Sequence, residues 1–227
     1  MVKALIFDVF GTCVDWRTSV AAEVAAAGLA VDPLAFADAW RGEYQPAMER
    51  IRAGARGYVP LDDLHLENLH IISGRFGVEV DETLNSAWER LDPWPDVVAG
   101  LQSLREHVLI APCSNGSIGL MARLARHARF PWDCILGADI ARDFKPVPDV
   151  YRASCAVLGL ATDEVMIVAA HNDDLAAARD AGLRTAFVPR PLEYGPDQAI
   201  DLTPQSDWDI VAGDFIELAE RVAQQAV

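Results

Sequence analysis

The sequence predicts an α/β protein, a doubly wound parallel sheet interrupted by an all-helical insertion. Three observations carry this. Apolar runs recur at 2–7, 108–113, 165–169 and 185–188, each too hydrophobic to have a solvated face. The first three lead through turn residues into helical stretches, and repeated strand–helix units imply a parallel sheet. Between Trp16 and Leu91 the apolar spacing is helical and no strand pattern occurs.

The elements follow in order. Val2–Phe7 is the first strand, broken into a tight loop by Gly11 and Thr12. Trp16–Ala27 is helical, with Val20, Val24 and Ala27 at helix spacing. Pro33–Arg52 is a second helix or a pair, because Pro46 should kink or divide it. Gly54, Gly57 and Pro60 mark a break before helical stretches at Leu61–Phe76 and Asp81–Leu91. Asp92-Pro93-Trp94-Pro95 is a stiff hinge. The core therefore takes 1–14 and 93–227, and the helical unit 15–92. Within the second core segment, helices are expected at Val97–Arg105, Ile118–Ala128, Pro148–Leu158, Asp174–Ala181 and Phe215–Gln225. Strands are expected at Val108–Cys113, Cys134–Leu136, Val165–Ala169, Thr185–Val188 and Ile210–Val211. A long loop holding Pro191, Gly195 and Pro204 fills Pro189–Asp207.

Composition narrows the class. The 227 residues suit one large domain or a domain with a sizeable insertion. A hydrophobic fraction of 52% with 23% charged residues fits a soluble globular protein. The net charge of −15 disfavours nucleic acid and anionic membranes as partners. An anionic substrate must then be drawn in by a local cationic site. Cys13, Cys113, Cys134 and Cys155 lack metal-ligand spacing and read as buried free thiols. The chain opens directly on a core strand, without a signal peptide or an apolar run long enough to span a membrane, so a cytoplasmic location is expected.

Asp8 carries the chemistry. It stands at the carboxyl end of a buried strand, where open α/β sheets bind ligands, and a carboxylate there can act as a nucleophile. The bland reading is a strand-end or turn carboxylate. Phe10, two residues on, cannot protonate a departing alkoxide. The leaving group should therefore need no acid. Cys113-Ser114-Asn115-Gly116-Ser117 supplies hydroxyl, amide and backbone donors at a helix start, which suits an anion or a simple helix cap. A fixed ammonium from Lys145 beside Asp8 would keep it ionised. His171-Asn172-Asp173-Asp174 follows a buried strand and opens a helix, so Asn172 or Asp173 could cap it and Asp174 could answer its dipole.

Asp8-Val9-Phe10-Gly11-Thr12 resembles the first motif of the haloacid dehalogenase superfamily. With Phe10 in place of the second Asp, it is closer to the L-2-haloacid dehalogenase branch. The Ser114, Lys145-Pro146 and Asp174 segments resemble the superfamily's later motifs, in the same order and over nearly the whole chain. The resemblance implies a Rossmann-like core with an inserted helical cap, and hydrolytic dehalogenation of short (S)-2-haloalkanoates through an ester on Asp8. Haloacetates, fluoroacetate included, come within that class.

In that scheme Lys145 positions Asp8, while Thr12, Ser114 and Asn115 bind the substrate carboxylate and the Asp8 oxygens. Arg41, from the insertion, and Asn115 take the halide. Arg17 is a competing candidate because it is close to Asp8 in sequence, and pairing with Glu43 on the surface is the bland fate of Arg41. Tyr151 matches a tyrosine near the site, or is helix packing. Asp174, with His171 or Asn172, serves the water. The scheme requires no cofactor and no metal, and a homodimer through the cap fits the branch. Two alternatives remain: a magnesium-dependent phosphatase using Asp8, Asp173 and Asp174, and a non-catalytic binding protein of the same fold.

Overall fold

The computed structural model describes residues 1–225. β1 (Ala4–Phe7) lies in a five-stranded parallel sheet. After it come the two-residue β2 (Val14–Asp15) and the helices α1 (Trp16–Ala26), α2 (Pro33–Gly42), α3 (Tyr44–Arg52) and α4 (Leu61–Phe76). A 3-10 helix at Glu82–Glu89 leads to β3 (Asp92–Pro93). The second core segment holds α5 (Val97–Leu104), β4 (Leu109–Pro112), α6 (Ile118–Ala128), α7 (Pro148–Val157), β5 (Val165–Ala169) and α8 (Asn172–Asp180). β6 (Arg184–Phe187), β7 (Ile210–Val211) and α9 (Phe215–Gln225) close the fold. The strand order is β4-β1-β5-β6-β7.

β1 is central and buried on both faces. Leu5 and Phe7 point into one apolar cluster, Ala4 and Ile6 into the other, as the two-residue period of a strand requires. From β1 the chain goes first to β4 on one side and later to β5 on the other. The carboxyl end of β1 is thus a switch point of the sheet, where a crevice forms.

The insertion leaves and re-enters the core through a short antiparallel ribbon, with Val14 opposite Pro93 and Asp15 opposite Asp92. This pairing lies at the expected stiff hinge. Trp94 reinforces it by donating its indole N–H to the Gly11 carbonyl at 2.8 Å. Side chains tie the insertion down elsewhere: Arg52 donates to the Lys145 carbonyl at 2.9 Å, and Tyr58 to Asp139 at 2.9 Å.

Several expected boundaries shift. Pro33–Arg52 is indeed a pair of helices, but the division falls at Glu43, and Pro46 sits in the first turn of α3, where a missing N–H leaves no bond unmade. The helical stretch expected at Asp81–Leu91 is a 3-10 helix over Glu82–Glu89; its Asp81 cap accepts from Thr83, and the buried Leu84 and Ala87 stand three residues apart. Cys134–Leu136 is not a strand. Asp133 has taken both edge groups of Ile110, donating its N–H to the carbonyl and accepting from the N–H through its carboxylate. Cys134 is only half-buried, unlike the other three thiols.

Candidate active site

The nucleophile position is built by β1 and the loop after it. Asp8 donates its backbone N–H to the Val168 carbonyl at 3.0 Å, which continues the β1–β5 ladder by one residue. The chain then turns sharply, with Gly11 at φ +88°, and Cys13 donates back to the Val9 carbonyl. Thr12 donates its hydroxyl to Asp8 Oδ2 at 2.7 Å and accepts the Ala170 N–H at 2.9 Å. That pair of bonds couples the carboxylate to the start of the β5–α8 turn.

Two basic side chains converge on Asp8. Lys145 Nζ is 2.8 Å from Asp8 Oδ1 and 2.6 Å from Asp174 Oδ2. His171 Nδ1 is 3.2 Å from Asp8 Oδ2. Burial alone would raise the Asp8 carboxyl, but the Lys145 ammonium and the His171 ring overcome it and hold Asp8 well below the usual carboxylate range. Asp174 shares the same ammonium and moves the other way, because burial and the Asp8 charge outweigh what Lys145 contributes. Lys145 itself is held charged against burial by the two carboxylates. Its backbone N–H donates to Asn115 Oδ1 at 2.7 Å, so the β4–α6 turn holds the lysine segment in place.

These groups open on a cavity of about 180 Å³ at the carboxyl ends of the strands, also lined by Phe10, Arg41, Tyr44 and Asn115. A larger cavity, about 320 Å³, lies at the other end of the sheet beside Val2, Val108 and Met166, far from this convergence of acid and base. Phe10 is caged by the insertion, edge-on to Trp88 at 5.9 Å and to Tyr44 at 6.5 Å between ring centroids. Arg41 stacks on the Tyr44 ring at 3.8 Å, and its Nη1 is buried without a protein partner. Glu43 instead pairs with Arg75, and Arg17 with Asp38 on the surface, so Arg41 is the insertion's cation in the cleft.

Two residues expected at the site stand behind it. Asn172 does not face the cleft. Its amide donates to Asp201 and the Thr203 carbonyl and accepts from Gln205 and Trp208, a full set of bonds to the 201–208 loop. Tyr151 is fully buried and donates to Asp174 Oδ1 at 2.5 Å; it braces the acid and does not line the cavity. Ser114 is buried, with its hydroxyl accepting from the Gly116 N–H. Asp173 lines the cavity and accepts from the Asp174 N–H.

Sequence reasoning missed Glu193 and Arg190, in the long loop after β6. Glu193 is buried and its Oε2 lies 2.8 Å from His171 Nε2. Arg190 donates to the Thr12 carbonyl at 2.9 Å and makes a two-toothed bond to Asp96. The Pro189-Arg190-Pro191 segment gave a turn signal but no sign of a buried ion pair. His65 was missed as well. It is fully buried in α4, stacked on Trp88 at 4.3 Å, and burial and the nearby Arg41 charge hold it neutral.

Comparison with known proteins shows the family and the fold. A family model described as a haloacid dehalogenase-like hydrolase matches residues 2–182. An (S)-2-haloacid dehalogenase of Xanthobacter autotrophicus is 31% identical over 207 residues, covering 84% of this chain and 76% of that protein. The structure of a defluorinating L-2-haloacid dehalogenase superposes with a TM-score of 0.95 at 47% identity, over 98% of this chain and 95% of that one. The Xanthobacter autotrophicus L-2-haloacid dehalogenase with chloropropionic acid covalently bound superposes with a TM-score of 0.83 at 25% identity, over 98% and 99%. The chain belongs to the haloacid dehalogenase-like hydrolases, and within them to the family of the L-2-haloacid dehalogenases.

Proposed function

We propose that the protein hydrolyses short (S)-2-haloalkanoates, haloacetates and fluoroacetate included, to 2-hydroxy acids. The observation that carries this is Asp8, held ionised by Lys145 in a cleft where the position two residues on is the apolar Phe10. Asp8 attacks C2 from the side opposite the halogen, the C–halogen bond breaks with inversion, and an ester forms on Asp8. Halide leaves without a proton, so Phe10 is compatible with the step. The likeness to the defluorinating neighbour at 47% identity supports fluoroacetate as a substrate.

In this reading Arg41 Nη1 takes the departing halide, since a guanidinium stays charged at any working pH. Asn115 spends its Oδ1 on Lys145 and keeps its two N–H bonds for halide or carboxylate. Ser114 and Thr12 serve the substrate carboxylate and the Asp8 oxygens, and water then attacks Cγ of the ester. The reading also divides the chain into a core of 1–14 and 93–227 and a cap of 15–92, with the Val14–Pro93 pairing at the seam. It places a small anion in the cytoplasm as partner and admits a homodimer through the cap. No described helix is long and apolar enough to cross a membrane.

The test is halide release by EDTA-treated protein from fluoroacetate, chloroacetate and each enantiomer of 2-chloropropionate. Metal-independent release, selective for the (S) enantiomer, is expected. No halide, with magnesium-dependent phosphate release from p-nitrophenyl phosphate, would replace the reading with the phosphatase.

A further inference from the structure

Three carboxylates are buried among the described residues: Asp8, Asp174 and Glu193. The first two share Lys145 in the cleft already described. Glu193 comes from an irregular loop, yet it is only 1% exposed. It is held by Trp16 Nε1, which donates to Oε1 at 3.0 Å, and by His171 Nε2 at 2.8 Å from Oε2. The nucleophile loop is shaped around it. A Cβ added at Gly11 would collide with the Glu193 carboxylate. Arg190, three residues before, clips the same loop through the Thr12 carbonyl. Asp8, His171 and Glu193 therefore form a line in which one ring nitrogen faces the nucleophile and the other a fixed carboxylate.

We propose that Glu193 is a positioning residue that makes His171 the base for hydrolysis of the Asp8 ester. The assignment rests on the dehalogenase reading. It follows the general logic of a base oriented by a third group. Asp174 is the poorer base by its contacts, because Oδ2 already receives Lys145 and Oδ1 receives Tyr151.

The line is gated by the charge of Asp8. Between two carboxylates His171 keeps its proton, burial notwithstanding, so the base is off before alkylation. Ester formation removes one of the two charges, and the Nδ1 proton leaves through the cleft as halide departs. Water then adds its oxygen to Cγ and gives one proton to Nδ1, with Glu193 stabilising the imidazolium. The Cγ–O bond to the substrate breaks, and the departing alkoxide takes that proton to become the 2-hydroxy acid. The second proton of the water, left on the Asp8 carboxyl, returns to His171. Over the cycle, water and haloacid give hydroxy acid, halide and one proton.

Glu193→Gln separates the two half-reactions. If the substituted amide donates to His171, Nε2 must accept, and the neutral ring then carries its proton on Nδ1. It can still donate to Asp8 but cannot take a proton from water. With excess (S)-2-chloropropionate, the variant should release about one chloride per protein in a burst. Turnover should then fall about 100-fold below wild type, the low end for loss of general-base catalysis. Intact-protein mass spectrometry should show the ester accumulating on Asp8, and Glu193→Asp should recover part of the lost turnover. Wild-type turnover without accumulated ester in Glu193→Gln would overturn the assignment. So would loss of the burst itself, which would move Glu193 into the alkylation step. If wild-type protein releases no halide from any haloacid, the dehalogenase reading fails first, independently of Glu193.

Discussion

Phe10 meets Trp88 edge-on, with the rings 5.9 Å apart and inclined at 88°. A residue of the nucleophile loop is thereby locked into the aromatic interior of the insertion. Phe10 is also edge-on to His65, which stacks on Trp88 in turn. Position 10 thus does two things: it denies the site an acid, and it docks the helical insertion onto the strand end that carries Asp8.

Truncating that contact should be costly to stability. Phe10→Ala leaves a cavity between insertion and core, and deleting a buried Phe typically costs about 3–5 kcal/mol. The expected outcome is a lower melting temperature and a loss of halide release that added substrate does not restore. Unchanged chemical denaturation of the variant would show that the ring does not dock the insertion.

Lys145 is the only lysine or arginine that the structure sets against both Asp8 and Asp174 among the described residues. Lys145→Met would remove the cation that Asp8 and Asp174 share, leaving Asp174 unpaired and Asp8 with the His171 ring alone, a change of the kind that costs about 3–5 kcal/mol unless one of the carboxylates takes up a proton. Asp8 should then titrate upward, and halide release, if any remains, should appear only toward alkaline pH. A pH–rate profile of the variant like that of wild type would contradict the role of the ammonium.

The pH dependence of stability has opposite signs for the two groups that face each other across the cleft. Asp8 is depressed below its ordinary 3.8, so its contribution is present above that value and fades as acid protonates it in the folded state. His171 is raised above 6.5, so its contribution is full below pH 6.5 and is lost as pH climbs through the folded value. Urea unfolding of wild type and His171→Asn should therefore converge as pH rises above 6.5. A difference that stays constant to the alkaline limit would show that His171 is not held as imidazolium.

Tyr151→Phe tests the placement of the tyrosine behind Asp174. Its hydroxyl donates to the acid and does not line the cleft. Removing it should cost about 1–2 kcal/mol in stability by leaving a buried acceptor short of a partner. KM for the haloacid should stay at the wild-type value while kcat falls, whereas a tyrosine that touches substrate would raise KM.

Much of this site was legible in the sequence because several of its groups sit at the end of a regular element. Asp8, Ser114 and His171 follow apolar runs, and Leu61–Phe76 and Ile118–Ala128 form helices with the expected ends. Asp8 and Asp174 come together because the parallel β1 and β5 share one carboxyl edge, and Lys145, 137 and 29 residues from them, reaches both from the loop before α7. What stayed hidden depends on long-range closure. Asn172 looks like a site residue by position, yet the 201–208 loop folds back and takes every bond it can make. Glu193 is one acid in a loop without periodicity, and nothing local marks it as buried. Gly11 already had a reason to be glycine in the turn, which masked its second constraint.

That second constraint gives the sharpest test of how the two loops fit. Gly11 has φ +88°, so Gly11→Ala is strained by roughly 1–2 kcal/mol before any contact is counted. The new methyl would also strike the Glu193 carboxylate. Glu193→Ala alone leaves His171 and Trp16 without their acceptor. The double variant should be less destabilised than the sum of the singles, because truncating Glu193 clears the space that the methyl needs. Residues in contact commonly couple by about 0.5–3 kcal/mol, well above the additivity found for distant sites. Strict additivity in a double-mutant cycle would mean that Gly11 answers to its backbone angle alone, and that Glu193 can move aside without disturbing the nucleophile loop.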